Sequence, residues 1–148
     1  MRLFIATPIP LRGFQELRNE LSPYIQGKWS KEENLHLTHK FIGEDDPNNW
    51  KIPLSPPKEP INVSSFGIFN NKILYLKASS PNINQIATLL GVKNFVPHVT
   101  LCRMKHYDSA LLEKLQTIQI SQSFAFTLYL YQSILTPKGP IYKKIWQY

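Results

Sequence analysis

The sequence predicts one globular domain, residues 1–148, that mixes β-strands with short α-helices and is built on a duplicated strand–helix–strand unit. Three observations predict it. At 148 residues the chain has the size of one domain and enough length to bury a core. Along it, β-leaning runs alternate with brief segments of helical period. The order strand, short helix, strand carrying His-x-Thr also occurs twice, over about 3–42 and about 73–104.

The elements follow in order. Arg2 to Thr7 (RLFIAT) is an apolar β run closed by Pro8 and Pro10. It reads as a first strand rather than a signal peptide, because its apolar stretch is short and no cleavage signature follows. From Pro10 to Leu21, the residues Leu11, Phe14, Leu17 and Leu21 recur at spacings of three and four, which predicts an amphipathic helix ended by Pro23. Leu35 to Ile42 (LHLTHKFI) alternates as a strand does. Residues 44–60 hold five of the twelve prolines and no helical period, so they are read as a loop.

Ile61 to Phe69 and Lys72 to Ala78 form two β-leaning runs around Asn70–Asn71, a hairpin turn. Pro81 to Leu90 is read as a helix with Ile83, Ile86, Leu89 and Leu90 on its apolar side and Gly91 as its stop. Pro97 to Met104 (PHVTLCRM) is a strand. Asp108 to Leu115 is read as a helix with Asp108 as N-cap. Ser123 to Leu135 is strongly β, residues 136–140 are a turn, and Ile141 to Trp146 is a closing strand.

Composition narrows the function classes. Hydrophobic residues at 43% and charged residues at 18% are the proportions of a globular chain, not a disordered one. No apolar run approaches the ~18 residues of a membrane span, so no membrane role is expected. The single cysteine, Cys102, cannot form an internal disulfide, which fits a cytoplasmic location. Seventeen Lys and Arg against ten Asp and Glu give +7, a charge that favours polyanions such as RNA without specifying one.

Side chains alternate along a strand, so His36 shares a face with Thr38, and His98 with Thr100. A pseudo-twofold relation between the two units would set these strands side by side and make a cleft of two imidazoles and two hydroxyls. Such a cleft suits a phosphodiester. Cleavage needs a base for the incoming oxygen and an acid for the leaving one, and histidine serves as either near neutral pH. The hydroxyls can donate to non-bridging phosphate oxygens. A single His-x-Thr on a strand is ordinary packing; the repetition is what carries weight. Two other readings compete with this one. One is a non-catalytic RNA-binding module using the same basic cleft, which would not need two histidines. The other is a zinc site drawn from His36, His39, His98 and Cys102, which fails because alternation turns His39 away from the others.

HLTHKFIG (His36 to Gly43) and PHVTLCR (Pro97 to Arg103) resemble the two signature motifs of the 2H phosphoesterases, and in particular of the RNA 2′,3′-cyclic phosphodiesterases, also called 2′-5′ RNA ligases. MRLFIATPIP, WSKEENLHLT (Trp29 to Thr38) and YQSILTPKGPIY (Tyr131 to Tyr142) resemble the same family, so the likeness spans nearly the whole chain. The resemblance implies an α+β fold of two lobes, an antiparallel sheet in each, with the site between them. It implies hydrolysis of a 2′,3′-cyclic phosphate at an RNA or nucleotide end to a 2′-phosphate, without metal or cofactor. Within it, His36 matches the acid on the leaving O3′ and His98 the base on water. Thr38, Thr100 and Arg103 match phosphate-binding positions, and Phe41 an aromatic that stacks on the base. A monomer is expected.

Strict alternation sits awkwardly with two of these. Phe41 and Arg103 have the wrong parity from their histidines and reach the site only if each strand bends or ends first. Lys40 and Cys102 have the right parity; Lys40 is read as an added charge in the phosphate field, Cys102 as packing. His39 is read as structural and His106 as a loop residue. Trp29, Trp50 and Trp146 are read as packing, and Tyr142 as near the cleft by resemblance alone. Lys28, Lys31, Lys138, Lys143 and Lys144 are candidates to track an RNA backbone, although a solvated basic face is the simpler reading of any one.

Overall fold

The computed structural model describes all 148 residues. Nine strands form one antiparallel sheet: β1 (Arg2–Pro8), β2 (Ile25–Trp29), β3 (His36–Glu44), β4 (Ile61–Phe69), β5 (Ile73–Ser79), β6 (His98–Tyr107), β7 (Ser121–Phe124), β8 (Tyr129–Thr136) and β9 (Gly139–Gln147). The helices α1 (Phe14–Leu21), α2 (Gln85–Leu89) and α3 (Ala110–Gln116) are short. The class is α+β, as expected.

The spatial order is β7-β4-β5-β6-β3-β1-β8-β9, with β2 added on β6. This order is close to a mirror of itself about the β6–β3 junction, where the sheet is held by one residue pair, Leu37 with Val99. In each half a strand–helix–strand unit supplies the two inner strands, β1 and β3 in one and β5 and β6 in the other. The halves are not the two halves of the chain. β2, from the first unit, joins the second half, and β8 and β9 return to pair with β1.

One face of the sheet carries the main core. Leu3, Ile5, Leu37, Leu74, Leu76, Val99 and Leu101 bury there against Phe14, Leu17 and Leu21 of α1, Ile86 of α2 and Leu111 of α3. Phe14, Leu17 and Leu21 all lie on the buried side of α1. The other face has no helix with a buried stripe against it, only a small aromatic cluster around Phe4 and Tyr131.

Several elements differ from the expectation for local reasons. α1 begins at Phe14, not Pro10, because Gly13 takes a left-handed conformation (φ 78°) at its N-cap. The expected helix over 81–90 is helical only from Gln85, though Gly91 ends it at φ +76°. The third helix begins at Ala110 with Ser109, not Asp108, at its N-cap, although the Asp108 carboxylate just outside accepts the Ala110 N–H at 2.8 Å. The β run from Ser123 is two strands: residues 125–128 cross from β7 in one half to β8 in the other, burying Phe126 and Leu128 on the way. β2 is unforeseen. Its short IQGKW lies with Gly27 against the Arg103 carbonyl and Met104, where any Cβ would collide with backbone.

Candidate active site

The pair Leu37–Val99 lies in the core, so the residues on either side of each point to the opposite, open face. The antiparallel register sets His36 opposite Thr100 and Thr38 opposite His98. The histidines then occupy diagonal corners of a two-by-two group, about 7–8 Å apart at the backbone, a spacing that admits a phosphate between the rings.

Both imidazoles are held in one orientation by the same device. His36 Nδ1–H donates to the Asn34 carbonyl at 2.6 Å, and His98 Nδ1–H donates to the Val96 carbonyl at 2.7 Å. A carbonyl only accepts, so Nδ1 must carry the proton and Nε2 is left free for chemistry. Aromatic walls fix the ring planes. His36 stands edge-on to Tyr142 (5.2 Å between centroids, 88°) and 5.2 Å from Phe4. His98 stands edge-on to Phe69 at 5.1 Å and Tyr75 at 5.6 Å. Burial pushes the His36 pKa down. The Asn34 hydrogen bond pushes it back up in part, and the charge of His98 adds to the lowering.

A β-bulge at the same place in both strands overturns the parity expectation. On β3 the register steps from Lys40 opposite Ile5 to Thr38 opposite Ala6, leaving His39 as the extra residue. On β6 it steps from Cys102 opposite Leu74 to Thr100 opposite Tyr75, leaving Leu101 as the extra residue. Beyond each bulge the faces exchange. Phe41 therefore pairs with Phe4 on the face of His36, and Arg103 pairs with Ile73 on the face of His98. Phe41 is 76% exposed, with its ring 6.4 Å from Phe4, and offers a free aromatic surface at the cleft. Arg103 is exposed.

The same bulge removes Lys40 from the site. It pairs with Ile5 on the helix-covered face, and its ammonium donates to the Leu90 carbonyl at the end of α2, at 3.1 Å. It is a helix cap, not a phosphate contact. His39 is buried on that face too, at 1% exposure. Its Nε2–H donates to the Thr7 hydroxyl at 2.9 Å, which donates in turn to the Thr127 carbonyl, and its ring stacks on Phe126. Burial pushes the Cys102 thiol up to about 11, with the Arg18 charge acting the other way, so this cysteine is packing.

Sequence reasoning did not find the aromatic walls: Phe4, Tyr131, Phe69 and Tyr75. The available signal was that β1 and β5 are apolar on both faces, as a strand covered on only one face would not be. A cavity between β4 and the stretch after α3 is lined by Phe66, Ile68, Leu115 and Ile120 and holds none of these groups.

No family model matches the chain. It is 31% identical to an RNA 2′,3′-cyclic phosphodiesterase of Methanocaldococcus jannaschii, with 98% of each chain covered. It is 29% identical to an RNA 2′,3′-cyclic phosphodiesterase of Aquifex aeolicus, over 86% of this chain and 84% of that one. Among solved structures, LigT of E. coli in complex with NADP+ superposes with a TM-score of 0.71 at 19% identity, covering 99% of this chain and 96% of that one. TT0787 of Thermus thermophilus superposes with a TM-score of 0.67 at 22% identity, over 100% and 97%.

Proposed function

Since the chain belongs to the family of RNA 2′,3′-cyclic phosphodiesterases, within the 2H phosphoesterases, we propose that its cleft hydrolyses a 2′,3′-cyclic phosphate at an RNA or nucleotide end and leaves a 2′-phosphate. The observation that carries the proposal is the matched pair of imidazoles, each with Nδ1 tied to backbone and Nε2 free on one open face. A module that merely binds RNA has no need of that pair.

In the proposed step His98 Nε2 takes a proton from water as its oxygen attacks phosphorus. The P–O3′ bond breaks, and His36 Nε2–H gives its proton to the departing O3′, while the 2′ oxygen keeps the phosphate. Thr38 and Thr100 donate to the non-bridging oxygens, and Arg103 balances their charge. Phe41 stacks on the terminal base. Two imidazoles supply both proton transfers, so the step needs no metal. A 5′-hydroxyl in place of water would, by the same transfers, make a 2′–5′ linkage. We read the chain as one catalytic domain, a monomer of the cytoplasm; no helix is long and apolar enough to cross a membrane.

The role given to His36 has a consequence. Burial favours its neutral form in the free protein, whereas an acid must be protonated. The anionic phosphate, once bound between the rings, supplies the opposing field that restores the proton. The test is turnover in EDTA of a 2′,3′-cyclic mononucleotide, a 3′,5′-cyclic nucleotide and an RNA with a cyclic end. The first and third should be cleaved to 2′-phosphates. No turnover of either, on folded protein, would overturn the proposal.

A further inference from the structure

We propose a second phosphate subsite, outside the catalytic pair, formed by Lys28, Lys31 and Lys138, which takes the internucleotide phosphate preceding the cyclic end. It rests on the function proposed above and deepens it: beyond the cyclic nucleotide itself, the protein binds the RNA chain that precedes it.

Lys28 pairs directly with Arg103 across β2 and β6 and so points to the cleft face beside it. The β8–β9 turn folds onto the same place. Asn34 Nδ2 donates to the Pro140 carbonyl at 2.9 Å, pinning the turn against the segment that leads into His36. Gly139 is buried there at φ +108°. Measured from where a Cβ would stand on it, Lys28 Nζ is 3.8 Å away and Lys31 Cε 3.7 Å. Two cations from one half thus converge on the turn of the other, and Lys138 is the neighbouring residue, exposed.

No carboxylate forms an ion pair with this group. The ion pairs of the chain join the N-terminus to Glu44 and Lys114 to Glu20, both elsewhere. Holding Lys28 and Lys31 close together beside Arg103 and Lys138 with no ion pair to any of them costs Coulomb energy, which a polyanion offsets. The line from Thr100 through Arg103 to Lys28 leads out of the catalytic group along the cleft face, and the proposal lays the chain attached to the cyclic end along it. Lysine suits that task, binding phosphate as a point charge with no demand on base identity.

The experiment is an anisotropy titration of a labelled short oligoribonucleotide ending in a 2′-phosphate, at several salt concentrations. Three proteins are compared: the natural chain, the Lys28→Gln/Lys31→Gln/Lys138→Gln variant, and a control with the same loss of charge, Lys58→Gln/Lys93→Gln/Lys114→Gln. A Lys28→Gln/Lys138→Gln variant, confined to exposed positions, serves if the first is poorly folded. The expected result is at least ~10-fold weaker oligonucleotide binding and a log Kd against log salt slope shallower by at least ~0.7, one single-strand phosphate. A 2′-mononucleotide should be affected much less, and the control should match the natural chain. Equal loss in the control, or equal loss for oligonucleotide and mononucleotide, overturns the subsite. Because binding is read, this result stands apart from whether the protein turns over cyclic phosphate at all.

Discussion

Burial holds His39 neutral, with its pKa pushed down to about 4 by desolvation first and the charge of His36 second. Its Nδ1 has no hydrogen-bond partner and Nε2 is committed to Thr7, so protonation would strand a charge among Phe95 and Phe126. Between pH 6.5 and 4 the unfolded chain carries this proton and the folded one does not. Stability therefore rises with pH across that window, and acidification through it removes roughly 3 kcal/mol. Replacing His39 with Leu, the type of residue that Leu101 supplies at the matching bulge, should flatten the slope. Urea unfolding at the two ends of that window measures it, and an unchanged slope would exclude His39 as its source. His36 predicts a separate effect on rate. Its lowered pKa places the basic limb of kcat/KM, which reports the free enzyme, at lower pH than the basic limb of kcat, where bound phosphate favours the imidazolium. Coincident limbs would remove the proposed action of the phosphate on His36.

Among the elements, the two bulges do most to shape the cleft, and they also mark the limit of what the sequence shows. Alternation placed His36 with Thr38 and His98 with Thr100 correctly, because no irregularity lies between them. It failed just beyond. Nothing in the letters HLTHKFIG announces an extra residue at His39, since a bulge is a property of pairing with β1, not of β3 alone. The resemblance to known motifs had Phe41 and Arg103 on the right side, and alternation had Lys40 on the wrong one. β2 was missed for a similar reason: five residues with a glycine have little strand propensity, and β6 recruits them. Asn70–Asn71 was legible because both residues take φ values of 50° and 57°, which asparagine tolerates and most residues do not. If the β3 bulge presents Phe41 as a base platform, Phe41→Ala should raise KM for nucleotide substrates more than it lowers kcat, at ~1–3 kcal/mol per stacked base. Steady-state kinetics on a cyclic mononucleotide checks this, and a fall in kcat at constant KM would contradict stacking.

The whole molecule is two half-sheets joined at Leu37 and Val99, each contributing one histidine, one threonine and one aromatic wall to a common face. In the proposed reaction that division makes the histidines interdependent, one half accepting a proton and the other donating one. Groups that act as one unit are strongly non-additive on removal. The measurement that tests the central claim most directly is single-turnover hydrolysis of a 2′,3′-cyclic nucleotide in EDTA by the natural protein, His36→Ala, His98→Ala and the double variant, each shown to be folded. Each single variant should lose at least ~10²-fold in rate, and the double should be scarcely slower than the poorer single. Near-normal turnover by either single variant, or losses that multiply in the double, would contradict a paired site.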